Sequence, residues 1–137
     1  MIKTLKNKRG ENYIDTVVGV VAAMMVIVVA LNIFSFLTLK QDIDYYAKEM
    51  VEVCCSYGKT CDEVQDRDEE LASELGFDPG ISFDGTEYFN ATKRTVQYGE
   101  VIVVTVTYQT YVRGLGVFKI PVTLTAVHSG LSRKYWK

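Results

Sequence analysis

The sequence predicts an α+β fold, in which a long N-terminal helix and a short second helix accompany a small antiparallel β-sheet packed on the first helix. Three patterns predict it. Residues 16–39 are uncharged and apolar, residues 43–54 carry apolar side chains at helical spacings of three and four, and residues 100–128 alternate between apolar and polar side chains. A helix with one apolar stripe and a sheet with one apolar face bury these surfaces by packing against each other.

The first element is a run of 24 consecutive residues without a formal charge, from Thr16 to Leu39. As an α-helix this run is about 36 Å long, which is enough to cross a hydrocarbon core of roughly 30 Å. The run is also much longer than the apolar part of a cleaved secretory signal. We therefore predict a transmembrane helix over residues 11–39 and expect the lipid bilayer as the first partner.

Basic residues precede this span. Residues 1–10 form a leader with four bases and no acid, whereas Asp42 and Asp44 follow Lys40 shortly after the span. Because positively charged flanks stay in the cytoplasm, we expect a cytoplasmic N-terminus and an extracytoplasmic segment 40–137. That segment has 98 residues, which is enough for one domain. The prediction is a single-pass cell membrane protein with one exported α+β head domain.

The helix is expected to continue beyond the membrane over residues 40–57, because no helix-breaking residue separates the two parts. This continuation has one apolar stripe and a charged opposite side. The stripe comprises Ile43, Tyr46, Ala47, Met50, Val51, Val53 and Cys54. Gly58 is expected to end the helix, since glycine readily adopts the left-handed conformation that follows many helices.

A second helix is expected over residues 60–76. Thr60 and Glu63 have the spacing of a capping box, in which each side chain bonds a free backbone N–H at the start of the helix. Gly76 is expected to end this helix. The acidic stretch 62–74 lacks the spacing of a calcium-binding loop, so we interpret it as a solvated helix surface and expect no metal site.

Residues 81–83 and 93–98 are expected to form short strands, and residues 100–128 a β-hairpin. The alternation of apolar and polar side chains predicts that this hairpin has one apolar face. The face holds Ile102, Val104, Val106, Tyr108 and Val112 in the first strand and Phe118, Ile120, Val122, Leu124 and Ala126 in the second. The apolar stripe of residues 43–54 is the expected cover of that face. Pro121 lacks an N–H donor, so the second strand is expected at a sheet edge.

Three cysteines, Cys54, Cys55 and Cys61, lie on the two sides of the predicted corner at Gly58. Two states are open. Either Cys61 forms a disulfide with Cys54 or Cys55, which the oxidising exported side permits, or all three are free thiols. A metal site is not expected, because the cluster lacks a fourth ligand at a suitable spacing.

His128 is the single histidine of the chain and lies at a predicted strand end. One histidine without a neighbouring nucleophile and acid gives no arrangement for nucleophilic catalysis. The sequence also lacks nucleotide-binding loops and a nucleophile elbow. The bases of residues 81–137 are scattered and form no stripe. We expect no enzymatic activity, no cofactor and no nucleic-acid partner.

The residues Lys8, Arg9, Gly10, Glu11 and Asp15, followed by the apolar span, resemble the N-terminus of a type IV pilin-like precursor. In that family a basic leader ends in glycine, and an acid stands at the fifth residue of the mature chain. The helix-then-hairpin order is most similar to TadE-like minor pseudopilins of tight-adherence-type pili. The resemblance implies cleavage after Gly10 by a prepilin peptidase and a structural role as a minor component of a pilus or secretion apparatus.

Two interpretations of Asp15 stay open. The resemblance implies that the span packs against other pilin-like subunits, that the Asp15 carboxylate pairs with the new α-amine of a neighbouring subunit, and that this pair sets the register of assembly. Alternatively, Asp15 is a hydrated acid at a helix N-terminus, where the helix dipole favours a carboxylate.

The sequence also permits a second function. In this alternative the protein is an uncleaved, signal-anchored single-pass protein whose exported domain binds a partner in an envelope or conjugation complex. The first function places the assembled subunit outside the cell, whereas the second leaves Met1 in the cytoplasm. The N-terminal mass of the mature protein distinguishes them.

Overall fold

The computed structural model describes residues 8–114 and 118–137, with the side chains of residues 13–113 and 118–137. Residues 1–7 of the predicted leader lie outside the described residues. The elements are, in chain order, α1 (Lys8–Tyr57), α2 (Glu63–Leu75), β1 (Gly80–Ser82), β2 (Val101–Gly114) and β3 (Phe118–Leu131). This is the predicted α+β fold.

α1 is one uninterrupted helix of 50 residues, which makes it about 75 Å long. It contains both the predicted span and the predicted continuation, so the expectation of a helix without a break at Lys40 is confirmed. The helix ends at Tyr57. Gly58 follows with a φ of 62° and donates its N–H to the Cys54 carbonyl at 2.8 Å. Glycine fits this position because other residues rarely adopt a positive φ.

α2 begins at Glu63, so the predicted start at residue 60 and the predicted Thr60 cap are wrong. Thr60 is buried, and its hydroxyl forms a 3.0 Å hydrogen bond with the hydroxyl of Tyr88. The Thr60 hydroxyl thus makes a tertiary hydrogen bond, although the spacing of Thr60 and Glu63 predicts that it caps the helix. The end of α2 agrees with the prediction, because Gly76 follows the helix in the left-handed conformation with a φ of 75°.

The three strands form one antiparallel sheet in the order β1-β2-β3. β2 and β3 pair along their whole lengths, with Val101 opposite Leu131, so the hairpin extends beyond its predicted end at His128. β3 lies at the edge of the sheet, as Pro121 predicts. β1 pairs with only three residues of β2 and lies one position earlier than the predicted strand 81–83.

Residues 93–98 do not form the predicted strand. Thr95 makes isolated bridges with Lys59 and Asn90 instead of joining a ladder. Val96 is fully buried. The adjacent Thr95 is buried as well, so this segment is a loop with two consecutive buried side chains and not an alternating strand.

The core lies between the second half of α1 and the inner face of the sheet, with α2 beside it. Its buried side chains are Ile43, Tyr46, Ala47, Met50, Val51, Cys54 and Cys55 of α1, Val64 and Leu71 of α2, Val96, and Ile102, Val104, Val106, Leu124 and Ala126 of the sheet. The predicted cover of the hairpin by the α1 stripe is confirmed for most of its length. At the far end of the hairpin, Phe118 and Ile120 of the predicted apolar face are exposed.

The C-terminal residues 132–137 pack on the end of α1. The Arg133 N–H donates to the Cys55 carbonyl at 2.8 Å, and the Trp136 indole N–H donates to the Gly58 carbonyl at 3.2 Å. These hydrogen bonds hold the segment over the end of α1.

Candidate functional site

The first half of α1 presents an uncovered apolar surface. Every side chain from residue 13 to residue 31 is exposed, and large apolar residues such as Val26 (68%) and Ile27 (58%) are exposed all round the helix. Within the described residues, one helix is long and apolar enough to cross a membrane, and none of its most apolar segment is buried. Such a surface is compatible with a membrane anchor.

The burial of α1 side chains changes after Lys40. Ile43, Tyr46 and Met50 are buried at helical spacings of three and four, while the intervening Tyr45 is exposed. The apolar segment and the core stripe are therefore parts of one helix, and the head is attached to the apolar segment without a linker.

The residues of the family resemblance lie at the other end of this segment. Gly10 and Glu11 are within the helical backbone of α1, and the Glu11 side chain lies outside the described ones. Asp15 lies about one turn beyond Glu11, and its side chain is exposed. An added Cβ at Gly19, in the next turn, would have no atom within 4 Å. The roles of Gly10, Glu11 and Asp15 stay predictions.

The hairpin extends alongside the last part of the apolar segment. Residues 110–113 of β2 line a groove of about 180 Å³ together with Asn32, Ser35, Phe36 and Leu39 of α1. Phe36 and Leu39 are partly buried against the core. The sequence pattern did not find this contact, because it depends on how far a long hairpin reaches along the helix.

His128 joins the sheet to α1. Its Nε2 lies 2.8 Å from Oδ1 of Asp44, and both side chains are partly exposed, at 33% and 62%. The histidine lies inside β3, since the strand continues to Leu131. The sequence predicted His128 at a strand end but did not predict its neighbour Asp44, which is 84 residues away.

The three cysteines are free thiols in the structure. Cys54 and Cys55 are buried, and burial raises the pKa of both thiols, for Cys54 to about 12. Cys61 is more exposed, and its thiol lies 3.6 Å from the Lys93 carbonyl oxygen. Burial and the neighbouring Asp62 raise the pKa of Cys61 as well. These thiols are poor nucleophiles at neutral pH, and a disulfide between Cys61 and Cys54 or Cys55 stays a prediction.

Arg67 organises the acidic surface of α2. Its guanidinium nitrogens lie 2.9 Å from a Glu70 oxygen, 3.4 Å from a Glu49 oxygen and 3.6 Å from a Glu74 oxygen. The contact with Glu49 ties α2 to α1, which the interpretation as a solvated helix surface missed. Among the residues that the structure describes, no group of three His, Cys, Asp or Glu side chains is placed to hold a metal ion.

Comparison with known proteins identifies a family for most of the chain. A family model described as "Domain of unknown function (DUF4320)" matches residues 20–137, which are 118 of the 137 residues. The chain belongs to the DUF4320 family. The DUF4320 match covers most of the apolar segment and the whole head, and it begins after Gly10, Glu11 and Asp15. No curated protein and no solved structure matches the chain.

Proposed function

We propose that this DUF4320 protein is a pilin-like structural subunit of the cell membrane. In this proposal the apolar half of α1 crosses the bilayer with its N-terminus in the cytoplasm, and the head lies on the extracytoplasmic side. A prepilin peptidase cleaves the precursor after Gly10. The mature chain then joins other pilin-like subunits through its span, as a minor component of a type IV or Tad-like pilus or secretion apparatus.

The observation that carries the proposal is the division of α1 into two halves of one helix. Residues 13–31 are exposed all round the helix, whereas the half after Lys40 is buried along one stripe. Exposed apolar surfaces of this size are rare on monomeric soluble proteins and mark contact with lipid or with other proteins. A subunit that is stored in the membrane and later packs against other helices uses the same surface for both states.

Asp15 has a specific role in this proposal. Asp15 lies at the edge of the uncharged run, and a carboxylate that is drawn from there to the centre of a span costs about 2.5–3.5 kcal/mol, so it favours a charged partner. Cleavage after Gly10 creates an α-amine at Glu11. In an assembly, the Asp15 carboxylate of one subunit pairs with that amine of the next and sets the register between their spans.

A second candidate function is an uncleaved, signal-anchored protein whose head binds a partner in an envelope or conjugation complex. One observation favours it: the family match begins at Val20, beyond the leader and Asp15. Under this candidate the span anchors the chain, and the head alone carries the function. Neither candidate involves catalysis, a cofactor or nucleic acid.

The N-terminal mass of the membrane-bound protein tests the proposal. We expect the mature wild-type chain to begin at Glu11 when it is produced together with a prepilin peptidase. Substitution Gly10→Leu places a bulky side chain at the scissile peptide and is expected to leave the full precursor uncleaved. Intact-mass spectrometry after membrane extraction measures the mass of the wild-type chain and of Gly10→Leu.

Asp15→Ala is the matched control for this experiment, because it removes a charge near the site without changing the scissile peptide. We expect it to be processed like the wild type. Wild-type chains that all retain Met1 in the presence of the peptidase contradict the pilin-like proposal and favour the uncleaved anchor.

A further inference from the structure

We propose that the end of the β2–β3 hairpin is a lipid-binding element, which lies in the interface region of the bilayer beside α1. This element comprises residues 110–113 and 118–122 and is called the hairpin tip below. The inference rests on the membrane anchor of the proposed function, and it requires neither cleavage nor assembly. Three features of the hairpin tip support the inference: its depth relative to the bilayer, its exposed apolar face and its positive charge.

The depth of the hairpin tip follows from the groove that it shares with α1. This groove joins residues 110–113 to positions between Asn32 and Leu39. A hydrocarbon core of about 30 Å takes roughly 20 helical residues. Placed anywhere within the uncharged run 16–39, such a core ends between Ser35 and Leu39. The hairpin tip therefore lies at the outer boundary of the hydrocarbon.

The inner face of β3 changes from buried to exposed towards the hairpin tip. Ala126 and Leu124 are 9% and 7% exposed, whereas Ile120 and Phe118 are 59% and 68% exposed. All four lie on one face, because side chains alternate along a strand. α1 covers the first two and leaves the last two open, and Ile120 pairs with Val112, which lines the groove beside α1. Lipid is the occupant that surrounds the exposed segment of α1, so it covers the adjoining face of the hairpin tip as well.

The outer face of the hairpin tip carries two bases. Arg113 and Lys119 are opposite each other in the ladder, and Tyr111, which is 64% exposed, lies on the same face. Basic side chains with long apolar stems and aromatic rings are typical of the membrane–water interface. The chain has no acid after Glu100, so no carboxylate within the hairpin neutralises these bases. This charge favours anionic lipid headgroups over a neutral surface.

A fluorescent probe on the hairpin tip tests the inference in the full-length protein. Substitution Phe118→Cys supplies the attachment site, in a Cys61→Ser background because Cys54 and Cys55 are buried. The labelled protein is reconstituted in vesicles of phosphatidylcholine and phosphatidylglycerol. We expect a blue-shifted emission, quenching by a lipid with a nitroxide near its headgroup, and protection from aqueous iodide.

Two further label positions complete the experiment. Val127→Cys is the matched control, because Val127 is 59% exposed on the same strand and about 30 Å from Phe118. We expect iodide to quench this position and the nitroxide lipid to leave it unchanged. Val26→Cys lies in the proposed span and is expected to be quenched by a nitroxide deep in the acyl chain.

The outcomes separate this inference from the proposed function. A label at Val26 that iodide quenches overturns the membrane anchor and this inference with it. A lipid-embedded label at Val26, combined with free access of iodide to position 118, overturns the lipid-binding tip alone. Protection of position 118 that rises with protein density, without quenching by the nitroxide lipid, assigns the tip to a protein partner or a second copy and also overturns the inference.

The contribution of charge is tested by the double substitution Arg113→Gln and Lys119→Gln. In the wild type we expect stronger nitroxide quenching at position 118 in vesicles with phosphatidylglycerol than in phosphatidylcholine alone. The double variant is expected to lose this difference. Equal quenching of the wild type in both kinds of vesicle overturns the preference for anionic headgroups.

Discussion

Tyr46 connects three parts of the head through one side chain. It is fully buried in α1, and its hydroxyl donates to Asp68 of α2, both to the carboxylate and, at 2.9 Å, to the backbone carbonyl. Its ring centroid lies 6.1 Å from that of Phe77, which lies 4.9 Å from that of Tyr108 in β2. Burial, and after it the Asp68 carboxylate, raises the pKa of Tyr46. The hydroxyl is therefore held in its protonated, donating form.

Tyr46→Phe removes this donor and keeps the ring. We expect a loss of about 1–2 kcal/mol in the free energy of unfolding, because Asp68 loses a part-buried hydrogen-bond donor. Chemical unfolding of the detergent-solubilised protein measures it. The control is Tyr45→Phe, an exposed neighbour whose substitution is expected to change stability by less than about 0.5 kcal/mol. Equal effects of the two substitutions contradict the role given to the Tyr46 hydroxyl.

The pH dependence of the unfolding free energy, compared between the wild type and Tyr46→Phe, gives a second test of the Tyr46 hydroxyl. A pKa above the usual tyrosine value of 10.0 means that the Tyr46 contribution is fully present below pH 10.0. It is lost as the pH rises further, because the unfolded chain then releases its proton first. The stability difference between wild type and Tyr46→Phe is therefore expected to shrink above pH 10.0.

At the scale of elements, Gly58 joins the end of α1 to the C-terminal segment. Its carbonyl accepts hydrogen bonds from the Val96 N–H at 2.8 Å and from the Trp136 indole at 3.2 Å. An added Cβ would lie 2.5 Å from Cβ of Lys134 and 3.0 Å from the Trp136 indole nitrogen. Glycine is needed here for two reasons, namely the positive φ and the close approach of the tail.

Gly58→Ala and Gly76→Ala separate these two reasons. Gly76 also has a positive φ, but an added Cβ there meets no atom within 4 Å. We expect Gly76→Ala to cost about 1–2 kcal/mol in unfolding free energy through backbone strain alone. Gly58→Ala is expected to cost about 1–3 kcal/mol more, because it also displaces the tail.

Trp136 reports the displacement directly, since it is the single tryptophan of the chain. In Gly58→Ala we expect its fluorescence to shift to longer wavelength as the indole becomes solvated. The emission of Gly76→Ala is expected to match the wild type. Unchanged tryptophan emission together with equal stability losses would show that the tail does not pack against Gly58.

At the scale of the whole molecule, the core and the apolar segment are separate surfaces. The described core begins at Ile43, and only Phe36 and Leu39 of the preceding segment are partly buried against it. The head of residues 40–137 carries 11 bases and 15 acids, a net charge of −4, which opposes aggregation. The head therefore has the core and the charge of an independent domain.

Removal of residues 1–39 is expected to leave a soluble head that unfolds in one cooperative transition. Its thermal midpoint is expected to lie a few degrees below that of the full-length protein in detergent, because Phe36 and Leu39 are lost. Circular dichroism during heating measures both midpoints. The same truncated chain with Ile43→Asp serves as the control and is expected to be unfolded, since the charge is fully buried. A truncated wild-type head without a transition contradicts the separation of core and anchor.

The sequence predicted the elements whose cause is local. The long α1, its stop at Gly58, the stop of α2 at Gly76 and the two long strands follow from periodicity and glycine alone. The predicted Thr60 cap and the strand 93–98 were wrong, because contacts from distant segments outweigh local spacing at both places. The His128–Asp44 and Tyr46–Asp68 pairs had no local signal, since their partners are 84 and 22 residues apart.

Side-chain periodicity dictates which faces of a helix and a strand avoid water, so the sequence predicts a long apolar N-terminal helix whose continuation covers a hairpin. How far the hairpin extends along that helix depends on the tertiary structure. The register between β2 and β3 leaves Phe118 and Ile120 exposed past the end of the core stripe and pairs Ile120 with Val112, which lines the groove beside α1. That placement depends on pairing across the whole ladder, which no single segment encodes.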